Sequence, residues 1–90
     1  MNFEWDAGKS AVNRDKHGVS LEEAATAFGD PLSSTILDSD SSHDETRFIL
    51  MGQAVSGRLL VVVHTDRGES VRLIGARLAT RGERRAYEQT

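Results

Sequence analysis

Residues 57–80 read GRLLVVVHTDRGESVRLIGARLAT, and the reading of this stretch decides the fold. Leu59 to Val63 are apolar at every position, too continuous for a strand with one wet face. The run is a central strand, covered on one side by helices and on the other by a terminal helix or a partner. Asp66-Arg67-Gly68-Glu69 supplies a tight turn, and SVRLIGARLA, rich in β-branched and leucyl residues, returns as the next strand.

Working outward, RFILMGQA (47–54) is a third strong strand, joined through Ser56-Gly57, so these three form an antiparallel meander. STILD (34–38) is a shorter strand. Upstream the period changes. NFEW (2–5) alternates as a first strand, and Asp6 stands where a helix cap is wanted. The helix after it spans about Ala7 to His17. Arg14, Lys16 and His17 sit at the negative end of its dipole, and Gly18 takes the left-handed cap. A second helix opens with Ser20 and Glu23 in capping-box spacing, carries Leu21, Ala24, Ala25 and Phe28 at helical intervals, and is ended by Gly29 and Pro31. TRGERRAYEQT (80–90) repeats the capping box with Thr80 and Glu83, although Gly82 in its first turn costs about 1 kcal/mol relative to alanine.

The expected architecture is α+β: an N-terminal strand and two helices packed on an antiparallel sheet of three or four strands, then a short C-terminal helix, in one domain over residues 1–90. A chain of 90 residues with 38% apolar and 28% charged composition suits that size. No cysteine is present, which removes disulfides and thiolate metal sites. MNFEWDAGKS places Glu4 and Asp6 where a signal peptide needs basic residues, and no apolar run is long enough to span a membrane. A soluble, cytoplasmic protein is expected.

Charge is unevenly distributed. Residues 1–57 hold four basic side chains against ten acidic ones, whereas residues 58–90 hold seven arginines and no lysine against four acids, within a net charge of -3. Arginine's planar fork matches phosphate or carboxylate oxygens in pairs, so an arginine-only segment suits anion recognition; an ion-paired, solvated surface is the alternative. Strict alternation on the last strand puts Arg72 with Ile74 and Ala76 on one face and Arg77 on the other, with Gly75 marking a place for a bulge that re-aims Arg77.

Four blocks in order, KHGVSLEEA, ETRFILMG, GRLLVVVHTDRGESVRLIGAR and ATRGERRAYE, resemble the BrnT family of bacterial toxins from Phe3 to Glu88. The resemblance implies a RelE-like fold, ribonuclease activity that halts translation, and neutralisation by a BrnA-like antitoxin carrying a ribbon-helix-helix DNA-binding domain. It therefore implies a hetero-oligomer that meets DNA only through the antitoxin. Members commonly have serine where this chain has Gly75, a second charged residue at Thr46, and arginine at Gly82.

Metal-free RNA cleavage needs a base for the 2'-hydroxyl, a cation for the phosphorane and an acid for the 5'-oxygen. The candidate catalytic residues are His17, Arg47, Arg72, Arg77 and Tyr87; Lys16, Arg81, Arg84 and Arg85 are candidate phosphate ligands. No cofactor or metal is expected, because the three histidines are dispersed and DSDSSHDE lacks the spacing of a calcium loop. Each candidate has a structural alternative. His17 suits a helix C-terminus, Arg72 suits pairing with Asp66 or Glu69, and Glu83 suits capping. His64 reads as a packed core residue, His43 as solvated, and Phe3 and Trp5 as core anchors. Alternative roles are a catalytically degenerate homologue acting as a partner-binding corepressor and a stand-alone interaction module.

Overall fold

The computed structural model describes residues 1–39 and 45–89; His43 and most of the polar connection before Glu45 lie outside them. The elements are β1 (Asn2–Glu4), α1 (Ala7–His17), α2 (Leu21–Thr26), β2 (Ser34–Leu37), β3 (Phe48–Gln53), β4 (Leu59–Arg67), β5 (Ser70–Leu78) and α3 (Arg81–Glu88). A 3-10 turn, Ala27–Gly29, prolongs α2.

Local chemistry accounts for the helix ends. The Lys9 N–H donates to Asp6 Oδ1 at 2.9 Å, and α1 stops at Gly18, whose φ of 72° is open to glycine and strained for most side chains. The Thr80–Glu83 capping box forms in full. That of Ser20 forms by half: Ser20 Oγ accepts the Glu23 N–H at 3.1 Å, while the Glu23 carboxylate turns to Arg58 and Ser56 instead of its own N-cap.

The sheet runs β1-β5-β4-β3-β2. The expected antiparallel strands are β2 to β5, and β1 extends them by pairing in parallel with β5, Asn2 to Glu4 against Ser70 to Arg72. The sheet is thus mixed and five-stranded. β4 lies at its centre, as its unbroken apolar run requires.

One face of the sheet carries α1, α2 and the main core. Val19, Leu21, Ala24 and Ala27 meet Leu50, Leu60, Val62, Leu73 and Ala76 there. Truncating a fully buried leucine such as Leu60 costs about 2–5 kcal/mol. The 3-10 turn and β3 approach closely at Gly52, where a Cβ would stand 2.7 Å from the Ala27 carbonyl oxygen. His64 belongs to this face as a core residue, its ring edge-on to Phe28 with centroids 4.9 Å apart and stacked on Phe48 at 5.8 Å. Burial pushes its pKa down.

On β5 the alternation breaks. Val63 pairs with Gly75 and His64 with Leu73, so Ile74 is an extra residue, a β-bulge beside the expected glycine. Leu73 and Ala76, three positions apart, therefore both enter the helix-side core. Strict alternation is corrected here: the bulge brings Arg72, opposite Thr65, and Arg77, opposite Val61, onto the same outer face.

Candidate functional site

The outer face is built in rows across the strands. Arg77, Val61, Met51 and Ser34 form one row; Gly75, Val63, Ile49 and Ile36 form the next; Arg72 and Thr65 begin a third. Phe48 faces His64 on the helix side, so its neighbour Arg47 belongs to the outer face beside Thr65. The three candidate strand arginines thus share one face, separated by an apolar strip. Four residues along β4 divide the Arg72 row from the Arg77 row, a distance of about 13 Å.

Helix α3 crosses one end of this face. Its side carrying Glu83 and Tyr87 is half-buried, and Arg81, Arg84 and Arg85 point to solvent. Glu83 joins Ser34, Ile36, Ile49, Met51 and Val61 around a cavity of about 280 Å³. The Tyr87 hydroxyl donates to Asp30 Oδ2 at 2.5 Å, and Asp30 also accepts the N–H groups of Gln53 and Leu32. This bond holds the Asp30 carboxyl below its usual range and raises the Tyr87 phenol. Tyr87 therefore fastens α3 to Asp30, at the end of the 3-10 turn before β2. The structure does not bring it to His17.

Arg77 and His17 share a cavity. With Asn13, Val61, Val63, Gly75 and Ala76 they line a cavity of about 200 Å³ at the outer edge of β5. The edge is open there because β1 pairs only as far as Arg72. Asn13 takes the place of a strand: its Nδ2 donates to the Ala76 carbonyl at 2.8 Å and to that of Val19 at 2.6 Å, and its Oδ1 accepts the Ala76 N–H at 3.2 Å. The absent side chain of Gly75 leaves room beside it, and a Cβ added there would lie 3.6 Å from Asn13 Oδ1, in ordinary contact.

Arg77 is held by Glu83 in a bidentate pair, Nη1 to Oε1 at 2.8 Å and Nη2 to Oε2 at 2.9 Å. The guanidinium pulls the Glu83 carboxyl down to about 2, with the Thr80 N–H assisting. Arg72 approaches Glu4 of β1 at 3.7 Å, a looser contact than a hydrogen bond and not the hairpin pairing with Asp66 or Glu69. Arg47 has its Nε buried with no hydrogen-bond partner among the described residues. Lys16 is exposed near the end of α1.

Two of the C-terminal arginines serve the fold. Arg58 is clamped by both Glu23 oxygens and the Gly18 carbonyl, and Arg67 pairs with Glu45 at 3.0 Å. Sequence reasoning missed Asn13 and Asp30 as organising residues and read Glu23 only as a capping partner of Ser20, not of Arg58. The one available signal was Asn13, a poor helix former in the middle of α1 whose amide competes for backbone groups.

Among the described residues no group of three or more histidines and carboxylates is arranged to hold a metal ion, and no helix is long and apolar enough to cross a membrane. An exposed imidazole, a guanidinium and a cavity opening to solvent can together take up a phosphodiester and move a proton beside it.

The family model described as the ribonuclease toxin BrnT of a type II toxin-antitoxin system matches residues 5–83. The 1.1 Å crystal structure of the Brucella abortus ribonuclease toxin BrnT is similar in fold, with a TM-score of 0.65 and 20% sequence identity over 90% of this chain and 99% of that one. No curated protein matches the chain.

Proposed function

The chain belongs to the BrnT family of ribonuclease toxins of type II toxin-antitoxin systems, and on that premise we propose that it is a RelE-like toxin domain that cleaves RNA without a metal ion, in the cytoplasm, and so inhibits translation. The observation that carries this reading is the shared cavity of His17 and Arg77.

In the proposed reaction the RNA 2'-oxygen attacks its own phosphorus, the bond to the 5'-oxygen breaks, and a 2',3'-cyclic phosphate and a 5'-hydroxyl result. The 2'-hydroxyl proton leaves to a base and an equivalent proton reaches the 5'-oxygen. His17, an exposed imidazole lining the cavity, serves as one partner in that transfer. Arg77 stabilises the charge on the phosphorane oxygens, exchanging part of its contact with Glu83 for phosphate. Arg72 and Arg47, on the same face, hold the backbone further along. Lys16, Arg81, Arg84 and Arg85 draw RNA to this side of the protein, and Tyr87 acts by fixing α3 through Asp30.

A type II toxin has an antitoxin partner. In this reading it is a BrnA-like ribbon-helix-helix protein that forms a hetero-oligomer with the toxin and alone touches DNA. A second reading is favoured by the bidentate Arg77–Glu83 pair, which occupies the principal cation, and by glycine at position 75: a catalytically silent homologue acting as a corepressor through the antitoxin.

The test is RNA cleavage in EDTA by the chain freed of any partner, beside Arg77→Ala and His17→Ala at equal folded concentration. Cutting by the parent chain and a loss of about 100-fold or more in each variant is the expected result. A folded parent chain that binds antitoxin and leaves RNA intact, with or without ribosomes, overturns the enzyme reading in favour of the corepressor.

A further inference from the structure

A second cleft adjoins the His17–Arg77 cavity, shares its Asn13 and His17 walls, and runs along α1. It measures about 530 Å³, and Lys9, Val12, Lys16 and Ile74 line it. Lys9 and Lys16 are seven residues apart on α1, two turns of helix, and therefore project from one side of it. Both are exposed, and neither has a carboxylate partner among the described residues. Between them Val12 is 53% exposed, an apolar surface that the fold does not use.

We infer that this cleft is the seat of a nucleotide flanking the scissile phosphate of a single-stranded RNA. The inference rests on the ribonuclease reading for the position of that phosphate. A strand whose phosphate meets Arg77 leaves the first cavity along the wall the two clefts share, past Asn13 and His17. The next phosphate is taken by Lys16 or Lys9, and the base lies against Val12 and Ile74. Asp6 closes the far end. Its Oδ1 already accepts the Lys9 N–H, and its negative charge turns a phosphate toward the lysines and leaves the donor edge of a base facing the carboxylate. Unpaired lysines distinguish this wall from the strand arginines Arg72 and Arg77, each of which has a carboxylate partner.

The experiment measures fluorescence anisotropy of a 2'-O-methyl RNA hexamer, which the reaction cannot cut, titrated with the full chain, with Lys9→Ala/Lys16→Ala and with Val12→Asp, at several salt concentrations. Circular dichroism verifies that the variants fold. The double variant is expected to bind about tenfold more weakly, with its log–log salt slope reduced by about 0.7 for the one lost phosphate contact. Val12→Asp is expected to weaken binding by a similar factor, and Lys9→Arg to retain it. Affinity and salt slope unchanged in both weakening variants overturn the cleft, and continued cleavage by the parent chain then leaves the ribonuclease reading standing. Conversely, lysine-dependent binding by a parent chain that does not cut supports the cleft and counts against the enzyme. Variants that lose antitoxin and keep RNA also overturn it.

Discussion

Glu83 meets Arg77 edge to edge, with both carboxylate oxygens engaged by both terminal guanidinium nitrogens, while Glu83 Oε1 also accepts the Thr80 N–H at 2.8 Å. One side chain thus completes the cap of α3 and neutralises the cation of the cavity. Because the folded-state pKa of Glu83 is lowered from 4.5 to about 2, the stability it supplies is fully present above pH 4.5 and is lost as pH falls toward about 2. Glu83→Gln keeps an oxygen for the cap and removes the charge. Denaturant titrations at pH 3 and pH 6 should therefore show a smaller loss in the variant than in the parent chain. At neutral pH the same change removes a competing anion from Arg77 and should tighten RNA binding by up to about fivefold.

Asn13→Ala deletes three hydrogen bonds that join α1 to β5 and to the loop at Val19. With each worth about 1 kcal/mol, a loss of about 2–3 kcal/mol is expected in urea denaturation. RNA cleavage should fall even at temperatures where the variant is folded, since Asn13 lines the cavity with His17 and Arg77 and ties α1 to β5 there.

Two glycines of the sheet should respond oppositely. Gly75→Ser places its Cβ 3.6 Å from Asn13 Oδ1 and its hydroxyl beside the cavity, so stability should change by less than about 1 kcal/mol and cleavage should rise. Gly52→Ala forces a Cβ to within 2.7 Å of the Ala27 carbonyl and should cost about 1–3 kcal/mol, read from the same unfolding curves.

His64 supplies a second acid-sensitive element. Burial lowers its pKa from the ordinary 6.5, so the unfolded chain takes up a proton before the folded one does. Stability is therefore complete above pH 6.5 and declines as pH falls below it toward the lowered value. His64→Phe retains an aromatic ring between Phe28 and Phe48. Its unfolding midpoint should be flat between pH 7 and pH 5, where that of the parent chain drops.

The elements and their caps were legible because they are written locally. Asp6, Gly18 and Thr80 each act on groups within four residues, and the continuous apolar run of β4 states its central place without reference to any other segment. What the sequence could not disclose depends on distant partners. Ser20 and Glu23 have capping-box spacing, yet Arg58, 35 residues away, takes the carboxylate. Arg72 has acids near it across its hairpin and instead approaches Glu4. Tyr87 looks free to stack on a base until Asp30, 57 residues earlier, accepts its hydroxyl. For the site, residue types pointed to His17 and Arg77, but the faces of Arg72 and Arg77 turn on a single extra residue at Ile74, which period-2 reasoning has no means to register.

The closure of the β5 edge also fixes when the cavity comes into being. Asn13 bonds Ala76 across 63 positions of sequence, and among the described residues β1 pairs only with Ser70 to Arg72. During synthesis β1 emerges long before β5, the strand it pairs with, and Asn13 before the Ala76 backbone that it bonds. His17 and Arg77 come to line one cavity only after β5 has been made. A nascent molecule that lacks β5 has no such cavity, and a product truncated before β5 never acquires one.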